Sequence, residues 1–328
     1  MDECQCSVSC DRLIHVDKRE RTLKKRALAI EGRATKRHLA SRPGVAVSLG
    51  ILCLFAAFPS AWAQLSNQEA PIVVGHYTLN VTSVDEHMRF WVDTLGGEAA
   101  ALGDDGGNAI RFPGVFLFLN EQAPSGPTRG TAFDHIGFAV PDVPALTARV
   151  VENGYGRTVG REPAPGEAVS PPTAGDYGRF EYLLGPDGVK VELVTAEGED
   201  APPIAHHHVH FVNREFVEMG QWYMRTLNAT QRPGPTYDFF FGADLPGVGY
   251  MLNFFSWLPE DDLVGTAGRV VDHVGFEVRN LEAFCEELEA KGIELTEPYH
   301  LEDGLGIAVI TDPWGTVVEL TEGLRDLY

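Results

Sequence analysis

The stretch FDHIGFAV, Phe133–Val140, returns 138 residues later as VDHVGFEV, Val271–Val278, with five of eight positions identical. Both runs have the length and the β-branched and aromatic content of a strand, and each carries one histidine. Side chains alternate along a strand. Ile136, Phe138 and Val140 therefore share one face, while His135, Gly137 and Ala139 share the other. Val274, Phe276 and Val278 separate from His273 in the same way. The apolar face must pack on something. The imidazole then looks the opposite way, beside small residues that leave it room.

Weaker copies of the strand are GHYTLNV from Gly75 and HHVHFV from His207. A helix follows each of the four. Ser83 and Glu86 form a capping box ahead of Val84, Met88, Trp91 and Leu95, and Gly96 ends that helix. Asp142 caps the second and Asn280 the fourth. Phe216, Met219, Tyr223 and Leu227 stripe the third. Turn-rich segments and short strands come next. LLGPDGVKVELVTAEG and VITDPWGTVVELTEG end alike, each with a proline-glycine turn and then a glutamate inside a strand. The unit is a strand, a helix and three strands, repeated four times. The fold class is α+β, with four βαβββ modules paired into two domains. Modules one and two are expected to form residues 64–200, and modules three and four residues 201–328.

The 328 residues carry a net charge of -21, which disfavours a nucleic-acid partner. The charge is unevenly spread. Residues 1–63 hold eleven of the 26 Lys+Arg and six of the 47 Asp+Glu, leaving the remainder at -26. A basic region precedes VAVSLGILCLFAAF, an uncharged run shorter than the ~20 residues of a membrane span. Small residues at Ala61 and Ala63 follow. This reads as a signal peptide cleaved after Ala63, giving a periplasmic or secreted chain with no membrane segment after cleavage. Four of the five cysteines lie in the leader. Cys285 alone remains, as a small buried hydrophobe, so the mature fold has no intrachain disulfide. A proline- and glycine-rich loop over residues 156–180 has the length of a lid or a surface insertion.

The glutamate strands obey the same alternation. Glu192 faces away from Val189, Val191 and Leu193, and Glu319 away from Val318 and Leu320. The first half thus offers His76, His135 and Glu192 to the open face of a sheet, and the second offers His208, His273 and Glu319. Two imidazoles and a carboxylate can hold a divalent ion with positions left open. The same parity in HHHVH makes His210 an alternative to His208. Aromatic residues between Tyr237 and Trp257 are candidates for lining a pocket or filling the core.

These motifs, DHIGFAV with DHVGFEV and GPDGVKVEL with DPWGTVVEL, resemble the vicinal oxygen chelate superfamily, which includes glyoxalase I, extradiol dioxygenases, epimerases and bleomycin-resistance proteins. The resemblance covers about residues 70–325. It implies that the paired modules form half-barrel cups, with a metal in at least one cup that chelates two neighbouring oxygens of a small-molecule substrate. It also implies His76 with His135, and His208 with His273, as first-strand ligands, with Glu192 and Glu319 from last strands. Phe118 and Asn253 stand where a glyoxalase I would have further glutamates, one of them its base. Three ligands are more similar to the extradiol dioxygenases, and imply iron(II), with zinc, manganese or nickel as alternatives. That family's histidine and tyrosine correspond to His300 in the second half and Tyr182 in the first, with Val309 at the other tyrosine position. A glyoxalase-like lyase or isomerase, or a binding protein without catalysis, is the alternative. The cups close within one chain or across a homodimer.

Overall fold

The computed structural model describes Leu65 and residues 68–100, 108–160, 180–233, 239–256 and 263–327. Residues 1–64, where a signal peptide is expected, with four of the five cysteines, and most of the 156–180 loop lie outside the described residues. Four modules follow one another as expected. The first is β1 (Ile72–Asn80), α1 (Val84–Met88, continued as a π-helical turn, Arg89–Thr94), β2 (Glu98–Ala100), β3 (Ala109–Phe112) and β4 (Val115–Asn120). The second is β5 (Phe133–Val140), α2 (Val143–Glu152), β6 (Gly156–Arg157), β7 (Phe180–Leu184) and β8 (Lys190–Thr195). The third is β9 (Ala205–Val212), α3 (Phe216–Leu227), β10 (Thr230–Gln231), β11 (Phe240–Leu245) and β12 (Gly249–Phe255). The fourth is β13 (Val271–Val278), α4 (Leu281–Ala290), β14 (Leu295–Glu302), β15 (Leu305–Thr311) and β16 (Val317–Glu322).

The modules do not pair in sequence order. One eight-stranded sheet runs β14-β15-β16-β13-β1-β4-β3-β2, and the other β10-β11-β12-β9-β5-β8-β7-β6. Module one therefore shares a sheet with module four, and module two with module three, which corrects the pairing expected from the order of the halves. The reason is physical. Every module presents the same first-strand edge, so alternation fixes which face is apolar without fixing which edge meets which. The linker 121–132 carries the chain from one sheet to the other, and the linker 256–270 carries it back. Their described parts are joined by hydrogen bonds: Ser125 N–H donates to the Gly268 carbonyl, Val270 N–H to Gly126, and the Arg269 guanidinium to the carbonyls of Pro127 and Arg129.

The helix faces bury what the pattern assigned to them. Phe138, Val191, Tyr223, Val274, Phe276 and Leu320 are fully buried, within one continuous apolar core. Ser83 Oγ accepts from Glu86 N–H, and Asp142 Oδ1 from Ala145 N–H, as capping predicts. Asn280 does not cap α4. It adopts a left-handed φ of 56°, and the Glu322 carboxylate of β16 accepts from the N–H groups of Asn280 and Leu281 instead. Cys285 is buried and unbridged. No helix among the described residues is long and apolar enough to cross a membrane.

Where first strands meet, the histidine of one lies over a glycine of the other. Gly137 is opposite His208 and Gly275 opposite His76. A Cβ on either glycine would overlap the imidazole ring. Gly137→Ala and Gly275→Ala should each destabilise the fold by roughly 1–3 kcal/mol, the usual cost of overpacking. Thermal melting measures this, and unchanged melting temperatures would show that the rings move aside freely.

Candidate metal centres

Register brings the polar faces to two points, one in each sheet. In the second sheet Tyr182 is opposite Glu192, Glu192 lies beside Gly137, and Gly137 faces His208. His135 is opposite His210. The result is a buried cluster of His135, Glu192, His208 and His210. His135 Nε2 is 3.1 Å from Glu192 Oε2, His208 Nε2 is 2.9 Å from the same oxygen, and the two Nε2 atoms are 3.3 Å apart. His210 Nδ1 is 3.0 Å from His135 Nε2. Adjacent ligands about 2.1 Å from one ion lie roughly 3.0–3.4 Å apart in octahedral or tetrahedral geometry. The donor atoms are already at that separation.

The surroundings orient these rings. The Asp134 carboxylate lies 2.6 Å from His135 Nδ1, and Lys190 Nζ donates to the same carboxylate at 2.8 Å. An Nδ1–H held by Asp134 leaves the Nε2 lone pair for the centre, the usual outer partner of a metal-bound histidine. His207 Nδ1 engages His208 Nδ1 at 2.8 Å and likewise leaves Nε2 facing inward. The His210 ring packs on Phe255 at 4.5 Å, with its Nε2 buried and without a hydrogen-bond partner.

In the first sheet His76, His273 and Glu319 converge. His76 Nε2 is 3.2 Å from Glu319 Oε1, and His273 Nε2 is 3.5 Å from Oε2. His76 Nδ1 is buried without a hydrogen-bond partner, and its Nε2 meets only the Glu319 carboxylate. A buried imidazole in that state is costly unless an ion takes its lone pair. Asp272 lies 2.9 Å from His273 Nδ1 and plays the part of Asp134. This centre is more open, with Glu319 22% exposed against 9% for Glu192. The Phe118 ring stands 5.0 Å from that of His76.

All six ligand candidates thus reach a centre, but in different company from that expected. His76 joins His273 and Glu319, whereas His135 and Glu192 join His208. The module pairing is the cause. His210 enters alongside His208 rather than in its place, a possibility already present in the parity of HHHVH. Tyr182 belongs to the second-sheet centre, its ring 5.4 Å from that of His135. His300 does not reach the other centre. Its register opposite Ile307 puts it on the concave face, two strands from Glu319. There its Nδ1 meets the Pro298 carbonyl, and its Nε2 lies 3.5 Å from Glu297 and 3.8 Å from Glu302. The described aromatics of the Tyr237–Trp257 stretch divide by parity. Phe254 is core, while Phe255 lies against His210.

Burial works to raise the Glu192 carboxyl, but hydrogen bonds from His135 and His208 hold it well below the usual carboxylate range. Glu319 is also held low, as the nearby His76 and the charge of His273 outweigh burial. Burial depresses His76 and His208 more than their glutamates restore them, and it depresses His210 strongly. His135 moves upward, burial being overcome by Asp134 and Glu192. Burial, reinforced by the Glu192 charge, lifts the Tyr182 phenol well above its ordinary value.

A sequence profile described as the Glyoxalase/Bleomycin resistance protein/Dioxygenase superfamily matches residues 73–193 and again 173–320. Glyoxalase I from Zea mays is similar in structure, with a TM-score of 0.56 and 18% identity over 78% of this chain and 94% of that one. A putative dioxygenase from Bacillus subtilis gives 0.57 and 14%, over 77% of this chain and 86% of that one. At such identities the likeness is one of fold. No curated protein matches the sequence.

Two ions per chain are expected on full loading, one for each cluster. His135→Ala combined with His208→Ala should then lose one ion, and His135→Ala combined with His76→Ala both. Grouping by sequence halves gives the reverse, and elemental analysis after dialysis decides. Acid should weaken the metal-free protein. Below about pH 6.5 the unfolded chain takes up protons at His76, His208 and His210 that the folded chain resists, so stability falls as pH falls. His135, with its raised value, opposes this alone, and His87, His206 and His207 are depressed as well. The melting temperature should drop between about pH 7.5 and about pH 5.5, and a flat profile would contradict the assignment of buried neutral rings.

Proposed function

As the chain belongs to the Glyoxalase/Bleomycin resistance protein/Dioxygenase superfamily, we propose that it is an exported, metal-dependent enzyme acting on a small molecule with two vicinal oxygens, most like an extradiol dioxygenase. The reaction centre is the second-sheet cluster. The observation that carries this reading is the triad of His135, His208 and Glu192 at ligand spacing, with Tyr182 directly opposite the glutamate. A bound iron(II) would supply Lewis acidity and redox chemistry with dioxygen, which no side chain here provides.

The protein's own groups have separate tasks. His135, His208 and Glu192 hold the ion, and Asp134 fixes the His135 ring. Burial keeps bulk water from the centre. Tyr182, with its raised value, keeps its proton near neutral pH. It therefore serves as a hydrogen-bond donor or acid toward a substrate oxygen, and not as the resting-state base. The counterpart of Tyr182 in the first sheet is Val309, opposite Glu319, so that centre lacks the donor. Phe118 and Asn253 offer no second glutamate for proton transfer of the glyoxalase kind, which disfavours the lyase alternative.

The test is anaerobic loading of the purified chain with iron(II), followed by oxygen uptake on catechols. One dioxygen should be consumed per catechol, with Glu192→Ala inactive and Tyr182→Phe slowed by about 10²-fold or more. Stoichiometric iron without oxygen uptake on any catechol would overturn the oxygenase reading. Export rests on the uncharged run before Ala61 and Ala63. The N-terminus of the secreted protein should be Gln64.

A further inference from the structure

We infer that Arg232 forms an anion-binding subsite in the second-sheet cup, so that the substrate is an aromatic diol carrying a carboxylate or similar anion. This rests on the reading of the centre above for its diol half alone. Register supplies the argument. His135 faces His210, His210 lies beside Asn253, and Asn253 faces Gly242. These four residues form one row across four adjacent strands, on the concave face that carries the cluster. Strands are about 4.8 Å apart, so Gly242 lies roughly 10 Å from His210 along the row.

The Arg232 side chain lies over Gly242. A Cβ there would come within 2.8 Å of its Nη1. Arg232 Nη1 donates to Asn253 Oδ1 at 3.1 Å, and Nε to Asp244 Oδ1 at 2.8 Å. Asp244 orients the guanidinium, and Asn253 draws it toward the strand of His210. The guanidinium side chain is only 15% exposed. A guanidinium fixed in a low-dielectric cup is suited to a planar, two-oxygen anion.

The row beside this one is aromatic. Phe255 packs on His210 at 4.5 Å, and Phe240, its cross-strand partner, on Phe255 at 4.8 Å. A flat ring seated there would place its vicinal oxygens toward His135 and Glu192 and a short anionic arm toward Arg232. The first-sheet cup has Phe118 in the place of Asn253, packed against His76. The subsite is therefore particular to one cup.

The test measures calorimetric binding to the full chain loaded with redox-inert zinc. The probes are a catechol bearing an acetate arm, a catechol bearing a methyl group in its place, and phenylacetate. The acetate catechol should bind at least about tenfold tighter than the methyl catechol. Arg232→Gln should erase that preference while leaving methyl-catechol affinity and zinc content unchanged. Gly242→Ala, which keeps the charge but displaces the guanidinium, should weaken the preference as well. Equal affinity in the wild-type chain, or a preference that survives Arg232→Gln, would overturn the inference. Arg232-dependent binding of phenylacetate with no catechol binding would leave the subsite standing and sink the diol reading alone.

Discussion

Each sheet is joined at its middle by two antiparallel first strands, and that seam is where an imidazole must cross a neighbouring backbone. His208 can lie over Gly137, and His76 over Gly275, because neither glycine has a side chain. The rest follows from this contact. The ring is fixed in place, its outer nitrogen is engaged or orphaned, and the last strand beside the seam brings a glutamate to the same point. The close approach demands glycine, and the apolar alternation around it demands that the ring be on the concave side.

The two centres share this plan and differ in furnishing. The second-sheet centre has Tyr182 opposite its glutamate, a second histidine at His210, and Asn253 leading to Arg232. The first-sheet centre has Val309, Thr78 and Phe118 at the corresponding places. One is enclosed and rich in donors. The other is more open and has an apolar wall. A repeated fold thus offers two similar grips with different chemistry around them, and the polar furnishing lies on one side only.

Much of this was legible in the chain. Alternation in FDHIGFAV and VDHVGFEV fixed the faces, and the family resemblance pointed to Tyr182, which stands opposite Glu192. Pairing was not legible, since four equivalent edges fit one another equally well and only the crossing linkers choose. His300 misled because its position, two strands from Glu319, carries no sequence mark, while Glu297 and Glu302 claim its ring. The Asn280 cap failed for a related reason: the better acceptor, Glu322, comes from a distant strand. Arg232 had no signal at all, because its significance depends on a missing side chain at Gly242.

The pairing nests one unit inside the other, like brackets in a formula. Modules two and three are consecutive, whereas module one must wait for module four, with nearly 200 residues between β1 and β13. Loop-closure entropy and contact order therefore favour the inner pair forming first. During synthesis the first ligand strand emerges early and stays unpartnered longest. Its exposed edge makes the outer cup the slower to mature and the more vulnerable to misassociation.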